Sequence, residues 1–201
     1  MNIRLRSSGL LVITSLAILC AGCIGRSPRV TYYTLSPVAA EGTARPEELA
    51  IAVGPVEFPR ALDRPEIATR ISPNQVEYNE YRRWAGTLTA DFLTVAATNL
   101  GRLLGTDRIV VYPTPPSFEM DYRVLFDVVR FDAEAAGGVI LEVRWTLLSG
   151  NSGKALDVGS FATTEAADAD DYEARAAAHS EAIAALCREI ADQIRRLPTG
   201  G

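Results

Sequence analysis

Beyond residue 23 this 201-residue chain has one cysteine (Cys187), one histidine (His179) and, in the whole chain, one lysine (Lys154). With a single thiol, that part of the chain closes no internal disulfide, whatever the redox state of its compartment. Cys187 follows His179 by eight residues in a segment of helical periodicity, about 12 Å along a helix axis. A nucleophile–base couple between them is therefore excluded, and both read as packed helical residues. No His-Glu-x-x-His, Cys-x-x-Cys, Gly-x-Ser-x-Gly or Walker-type sequence is present, and the glycines form no phosphate-cradling loop. No apolar run reaches the ~18 residues of a membrane-spanning helix. The carboxylates Asp63, Glu66, Glu77 and Glu80 are interleaved with Arg60, Arg64, Arg70, Arg82 and Arg83. That mixture reads as a solvated, salt-bridged surface rather than a glycosidase pair. The expectation is a protein that is not an enzyme, with no catalytic residues, no metal and no dissociable cofactor.

What is present begins at the front. Arg4 and Arg6 precede the apolar Leu10–Leu19, and no acidic residue occurs before Glu41. Ten residues rise only ~15 Å as a helix, about half a bilayer's hydrocarbon core. The segment therefore reads as an export signal. It ends in Cys20-Ala21-Gly22-Cys23, which resembles the lipobox of bacterial lipoproteins. A cysteine thiol there is the nucleophile that receives diacylglycerol, and the small residues before it fit the peptidase cleft. Residues 1–22 are thus expected to be a lipoprotein signal peptide, with Cys23 the acylated first residue of the mature chain. An ordinary secretory signal cut nearby is the alternative. Each buried methylene adds about 0.8 kcal/mol of membrane affinity, so two or three acyl chains anchor the protein firmly. By the same resemblance, Ile24 rather than Asp after the cysteine implies the periplasmic face of the outer membrane.

Loss of Arg4 and Arg6 leaves 18 basic against 25 acidic side chains, a formal −7. An acidic chain without a Lys/Arg block is a poor ligand for nucleic acid or for anionic lipid as a whole. The remaining 179 residues suffice for one domain with its own core.

Residues 23–29 read as a lipidated tether, and 30–198 as one α+β domain. Val30–Leu35 and Leu49–Phe58 have strand character, with Pro55 placing the second at an edge or a bulge. Glu66–Ile71 and Gln75–Tyr81 form a hairpin about Ser72-Pro73-Asn74. From Thr89 to Leu104, Phe92, Val95, Ala96, Leu100, Leu103 and Leu104 recur at helical spacing, with Thr87 or Thr89 before them and Gly105 after. Arg108–Tyr112, Tyr122–Phe131, Val139–Leu148 and Leu156–Thr163 are further strands. The third of these alternates as a half-buried antiparallel strand does. A helix from Tyr172 to Leu197 closes the chain, with Asp168, Asp170 and Asp171 before it and Arg188, Arg195 and Arg196 toward its end, complementing its dipole. The expected architecture is an antiparallel-rich sheet with two helices on one face.

The order of several short motifs points to a family. Tyr32-Tyr33-Thr34-Leu35 lies soon after the cysteine, followed by Val53-Gly54-Pro55-Val56, Leu62-Asp63-Arg64-Pro65 and Ile67-Ala68-Thr69-Arg70. Arg83-Trp84-Ala85 precedes the first helix, and Asn99-Leu100 with Leu103-Leu104-Gly105 ends it. Together they resemble the ABC-transporter auxiliary lipoproteins of the PqiC type, with a departure at Gly86-Thr87-Leu88. The resemblance implies an accessory role in an MCE-associated lipid-transport system that supports membrane integrity. Its partners would be an MCE-domain protein spanning the periplasm, an inner-membrane permease and an ATPase. Phospholipid would be a further candidate ligand. A structural or assembly lipoprotein of an outer-membrane or secretion complex is the alternative. Arg64, Arg70, Tyr78, Arg83 and Trp84 are the candidate contacts to a partner or to phospholipid headgroups, since Arg and Trp are favoured at hot spots and arginine suits phosphate. The competing reading has Trp84 sealing the helix–sheet junction while the arginines pair with Glu66, Glu77 and Glu80. A homo-oligomer stays open.

Overall fold

The computed structural model describes residues 28–40 and 49–197. The signal peptide, Cys23 and the tether as far as Ser27 lie outside the described residues. The elements in chain order are β1 (Thr31–Tyr33), β2 (Ile51–Glu57), β3 (Glu66–Ser72), β4 (Gln75–Trp84), α1 (Leu88–Leu104), β5 (Ile109–Val111), β6 (Tyr122–Glu134), β7 (Val139–Ser149), β8 (Ala155–Glu165) and α2 (Tyr172–Arg196).

The sheet is built around β6. One edge of β6 pairs antiparallel with β7 along its length, and β7 in turn pairs with β8. Its other edge is shared: β2 runs parallel to Tyr122–Asp127, and β3 takes over at Ala133 and Glu134. A register shift between Val128 and Arg130 marks a bulge. The extra residue leaves Val129 exposed and returns Phe131 to the interior, in line with Tyr122, Val124, Phe126 and Val128. From the shared edge, β2 carries β5, and β3 carries β4 and then β1.

This sheet is mixed, which corrects the antiparallel-rich expectation. The pairings β1–β4, β2–β5, β2–β6 and β3–β6 are parallel; β3–β4, β6–β7 and β7–β8 are antiparallel. Alternation along a strand reveals which face is buried but not which way its neighbour runs. The run Ile51-Ala52-Val53 is buried on both faces, as a strand inside a parallel set must be. Of the two readings of Pro55, the bulge holds: β2 lies between β5 and β6 over Ile51–Val53, and the proline sits at the register shift between Val53 and Val56.

Both helices pack on the same face. α1 lies against β2 and β5, α2 against β7 and β8, and the two touch each other. Among the described residues, neither is long and apolar enough to cross a membrane. Phe92 of α1 sits at the centre, edge-on to Phe58, Phe126 and Phe131 at 5.4–5.9 Å. Burying one such ring contributes about 1.5–3 kcal/mol. Gly105 ends α1 at φ +66°, its N–H donating to the Gly101 carbonyl. Thr87 occupies the N-cap position of α1 but makes no side-chain cap. Asp171 does cap α2, accepting from the N–H groups of Glu173 and Ala174.

Candidate functional site

The β3–β4 hairpin carries four of the five candidate contact residues of the domain and the turn just before it carries Arg64; the five divide into three environments. Arg64, Tyr78 and Arg83 come together around Glu66. Arg83 Nη2 donates to Glu66 Oε1, and Arg64 Nε to Glu66 Oε2 at 3.3 Å. The Arg64 guanidinium stacks 4.2 Å from the centre of the Tyr78 ring, and the Tyr78 hydroxyl donates to the Ala61 carbonyl. The hydrogen bond from Arg83 holds the Glu66 carboxyl below the usual carboxylate range. Two guanidiniums on one carboxylate leave one positive charge over. Arg64 presents 48% of its side chain and Arg83 34% to solvent, so that surplus faces outward.

Arg70 belongs elsewhere. Its Nε and Nη2 donate to Asp132 Oδ2 at 2.9 and 2.6 Å, while Arg130 Nε donates to Asp132 Oδ1 at 2.8 Å. The Asp132 side chain is completely buried beneath these two arginines. Arg70 is thus spent on a structural carboxylate, and neither Glu77 nor Glu80 is its partner.

Trp84 is an interior residue at 4% exposure. Its indole meets the imidazole of His179 edge-on at 5.2 Å, and His179 meets Phe131 edge-on at 4.7 Å. His179 Nδ1 lies 2.8 Å from the Arg175 carbonyl, to which it donates. Burial pushes the His179 pKa down to about 4, against the raising effect of that hydrogen bond. Arg175 is buried as well, donating to Thr69 Oγ1 at 2.9 Å and to the Ala169 carbonyl, with its guanidinium over the Tyr172 ring. Trp84 therefore seals the junction of β4 with α2 and offers no surface to a partner. Cys187, further along α2, is fully buried against α1, its thiol 3.6 Å from the Ala96 carbonyl and its pKa raised by burial.

A family model described as "ABC-type transport auxiliary lipoprotein component" matches residues 33–191. The chain belongs to this family. The match runs from the end of β1 into the last turns of α2 and takes in every contact residue named above. Two solved structures share the fold of this auxiliary lipoprotein. One, described only as an uncharacterized protein, superposes with a TM-score of 0.69 at 19% identity, over 83% of this chain and 99% of its own. The other, XCC0632 of Xanthomonas campestris from the DUF330 family, gives 0.70 at 18% identity, over 82% and 94%. No curated protein matches the chain.

Sequence reasoning missed the polar column of the auxiliary lipoprotein. Asp132, His179, Arg175 and Thr69 are all at most 8% exposed. The one available signal is the break of alternation at Arg130-Phe131-Asp132, where a charged residue follows the bulge.

Proposed function

We propose that this auxiliary lipoprotein is acylated at Cys23 and held at the periplasmic face of the outer membrane. There it serves as a non-catalytic accessory subunit of an MCE/ABC-type intermembrane lipid-transport system. The observation that carries the reading is the family match over residues 33–191, joined in sequence to Cys20-Ala21-Gly22-Cys23. Family membership supports the transport association; the MCE partner, with its permease and ATPase, and the outer-membrane address are the proposal's own. Docking centres on Arg64, Tyr78 and Arg83, the exposed part of the hairpin set, where a surplus positive charge meets an aromatic ring. An acidic segment of the MCE protein or a phospholipid phosphate would compete with Glu66 for these guanidiniums.

Cross-linking of intact membranes followed by purification of this chain is expected to recover an MCE-domain protein. Recovery of a β-barrel or secretin partner instead would replace this reading with the assembly role. Arg64→Glu reverses the surplus, from one positive to one negative charge, at a side chain 48% exposed. The expectation is much weaker recovery of the MCE protein while the domain stays folded, with stability lowered by about 1 kcal/mol for the exposed Arg64–Glu66 pair that is lost. Unchanged recovery would remove the hairpin from the docking surface.

A further inference from the structure

Three of the exposed large apolar side chains, Val30, Tyr32 and Val38, fall in the short described segment 28–40, at 41%, 60% and 40% exposure. Among the described residues, β1 in this segment is an edge strand, paired only with β4. In register, Thr31 lies opposite Arg82 and Tyr32 opposite Arg83. The exposed Tyr81 precedes that pair by one residue. Between Cys23 and Glu41 the chain carries Arg26 and Arg29 and no acidic residue. The rest of the mature chain is acidic.

Given the acylated Cys23 on which this rests, we propose that the β1 edge, through Val30, Tyr32 and the arginines beside them, lies directly on the phospholipid surface. The domain then sits in one orientation and does not hang free on its tether. Reach supports this: seven residues from Cys23 to Val30 span at most ~25 Å fully extended. β8 lies five strand intervals from β1 through β4, β3, β6 and β7, roughly 24 Å across the sheet at ~4.8 Å per strand. The β1 edge is thus the part of the sheet that the anchor keeps within ~25 Å of the bilayer. Charge sets the same orientation, since an anionic surface attracts the basic entry segment and repels the acidic body. A tyrosine, with an apolar ring and a polar tip, suits the headgroup layer.

The test uses the full acylated protein in vesicles of phosphatidylethanolamine and phosphatidylglycerol. A fluorophore is attached through Val30→Cys in one sample and through Val158→Cys in another. Cys187 is buried and does not compete for the label. Val158, 67% exposed on β8, is the distant control. A nitroxide on the lipid headgroup is expected to quench the Val30→Cys label several-fold more than the Val158→Cys label. Adding Tyr32→Ser to Val30→Cys should reduce that quenching while the protein still floats with the vesicles. Equal quenching at the two sites, or stronger quenching at Val158→Cys, overturns the proposal with the anchor intact. A protein that fails to float overturns the anchor itself, and this inference with it.

Discussion

Asp132 is the side chain whose loss the molecule should feel most directly among its charged residues. Its carboxylate is wholly buried and receives three hydrogen bonds from Arg70 and Arg130. Those arginines keep 27% and 19% of their side chains in solvent. If Asp132 is removed, both can turn outward, so the penalty stays below that of stranding a fully buried charge. Asp132→Ala is expected to cost about 2–3 kcal/mol, read as a lower urea midpoint at unchanged slope. A loss under about 0.5 kcal/mol would place the cluster with ordinary surface pairs. His179 gives the complementary case. Its folded pKa is about 4 against an ordinary 6.5. Above pH 6.5 the imidazole is neutral whether the chain is folded or unfolded, and it contributes no pH dependence. Between pH 6.5 and about 4 the unfolded chain takes up a proton that the folded chain refuses. Stability therefore falls as the pH drops through that window, by about 3 kcal/mol at its acid end. Urea titrations at stepped pH should show this slope, and His179→Phe should flatten it. If the slope persists in the variant, the acid sensitivity comes from other groups.

At the scale of elements, β7 and β8 meet around a missing side chain. An added Cβ at Gly159 would fall 2.4–2.9 Å from atoms of the Trp145 indole. That ring is 3% exposed, and its Nε1 donates to Glu189 of α2. Gly159→Ala must push the indole into α2, at a cost of roughly 1–3 kcal/mol, and should shift the Trp145 emission. An unchanged spectrum and midpoint would mean the indole has room to move. The same pair of strands shows what a sequence can and cannot disclose. β7 was legible because Val139, Leu141, Val143, Trp145 and Leu147 recur at every second position, the last four around Glu142, Arg144 and Thr146, and all five are buried. The role of Gly159 was not, because its partner stands on another strand. Gly150 is the same: an added Cβ there would lie 1.8 Å from the Met120 carbonyl oxygen, thirty residues back in the chain. The helices were legible because their period and caps are local, and the hairpin because its turn is. The parallel pairing of β2 with β5 and β6 joins segments more than fifty residues apart. Of the candidate contacts, the grouping of Arg64 and Arg83 on Glu66 could be expected from proximity in sequence. The diversion of Arg70 to Asp132, 62 residues away, could not.

The sheet forks at β6, and this raises a question about the whole molecule: whether the β1–β4–β3 arm and the β7–β8 arm stand or fall together. The two tryptophans report on one arm each. Trp84 ends β4 and touches His179, while Trp145 lies in β7 and bonds Glu189. His179 and Glu189 are both on α2, which spans the fork and buries Ile183, Leu186, Ile190 and Ile194 against one continuous core. An arm could unfold alone only by exposing its share of α2, and the other arm would then lose the helix that covers it. Cooperative unfolding in a single step is therefore expected. Trp84→Phe and Trp145→Phe each leave a single reporter on the opposite arm. Each variant's emission should track its own far-ultraviolet circular dichroism through the urea transition, with both signals sharing one midpoint. A reporter that moves before the helical signal would show that its arm opens first and that α2 does not unite the two. It would also locate the part of the domain free to rearrange while the rest remains folded.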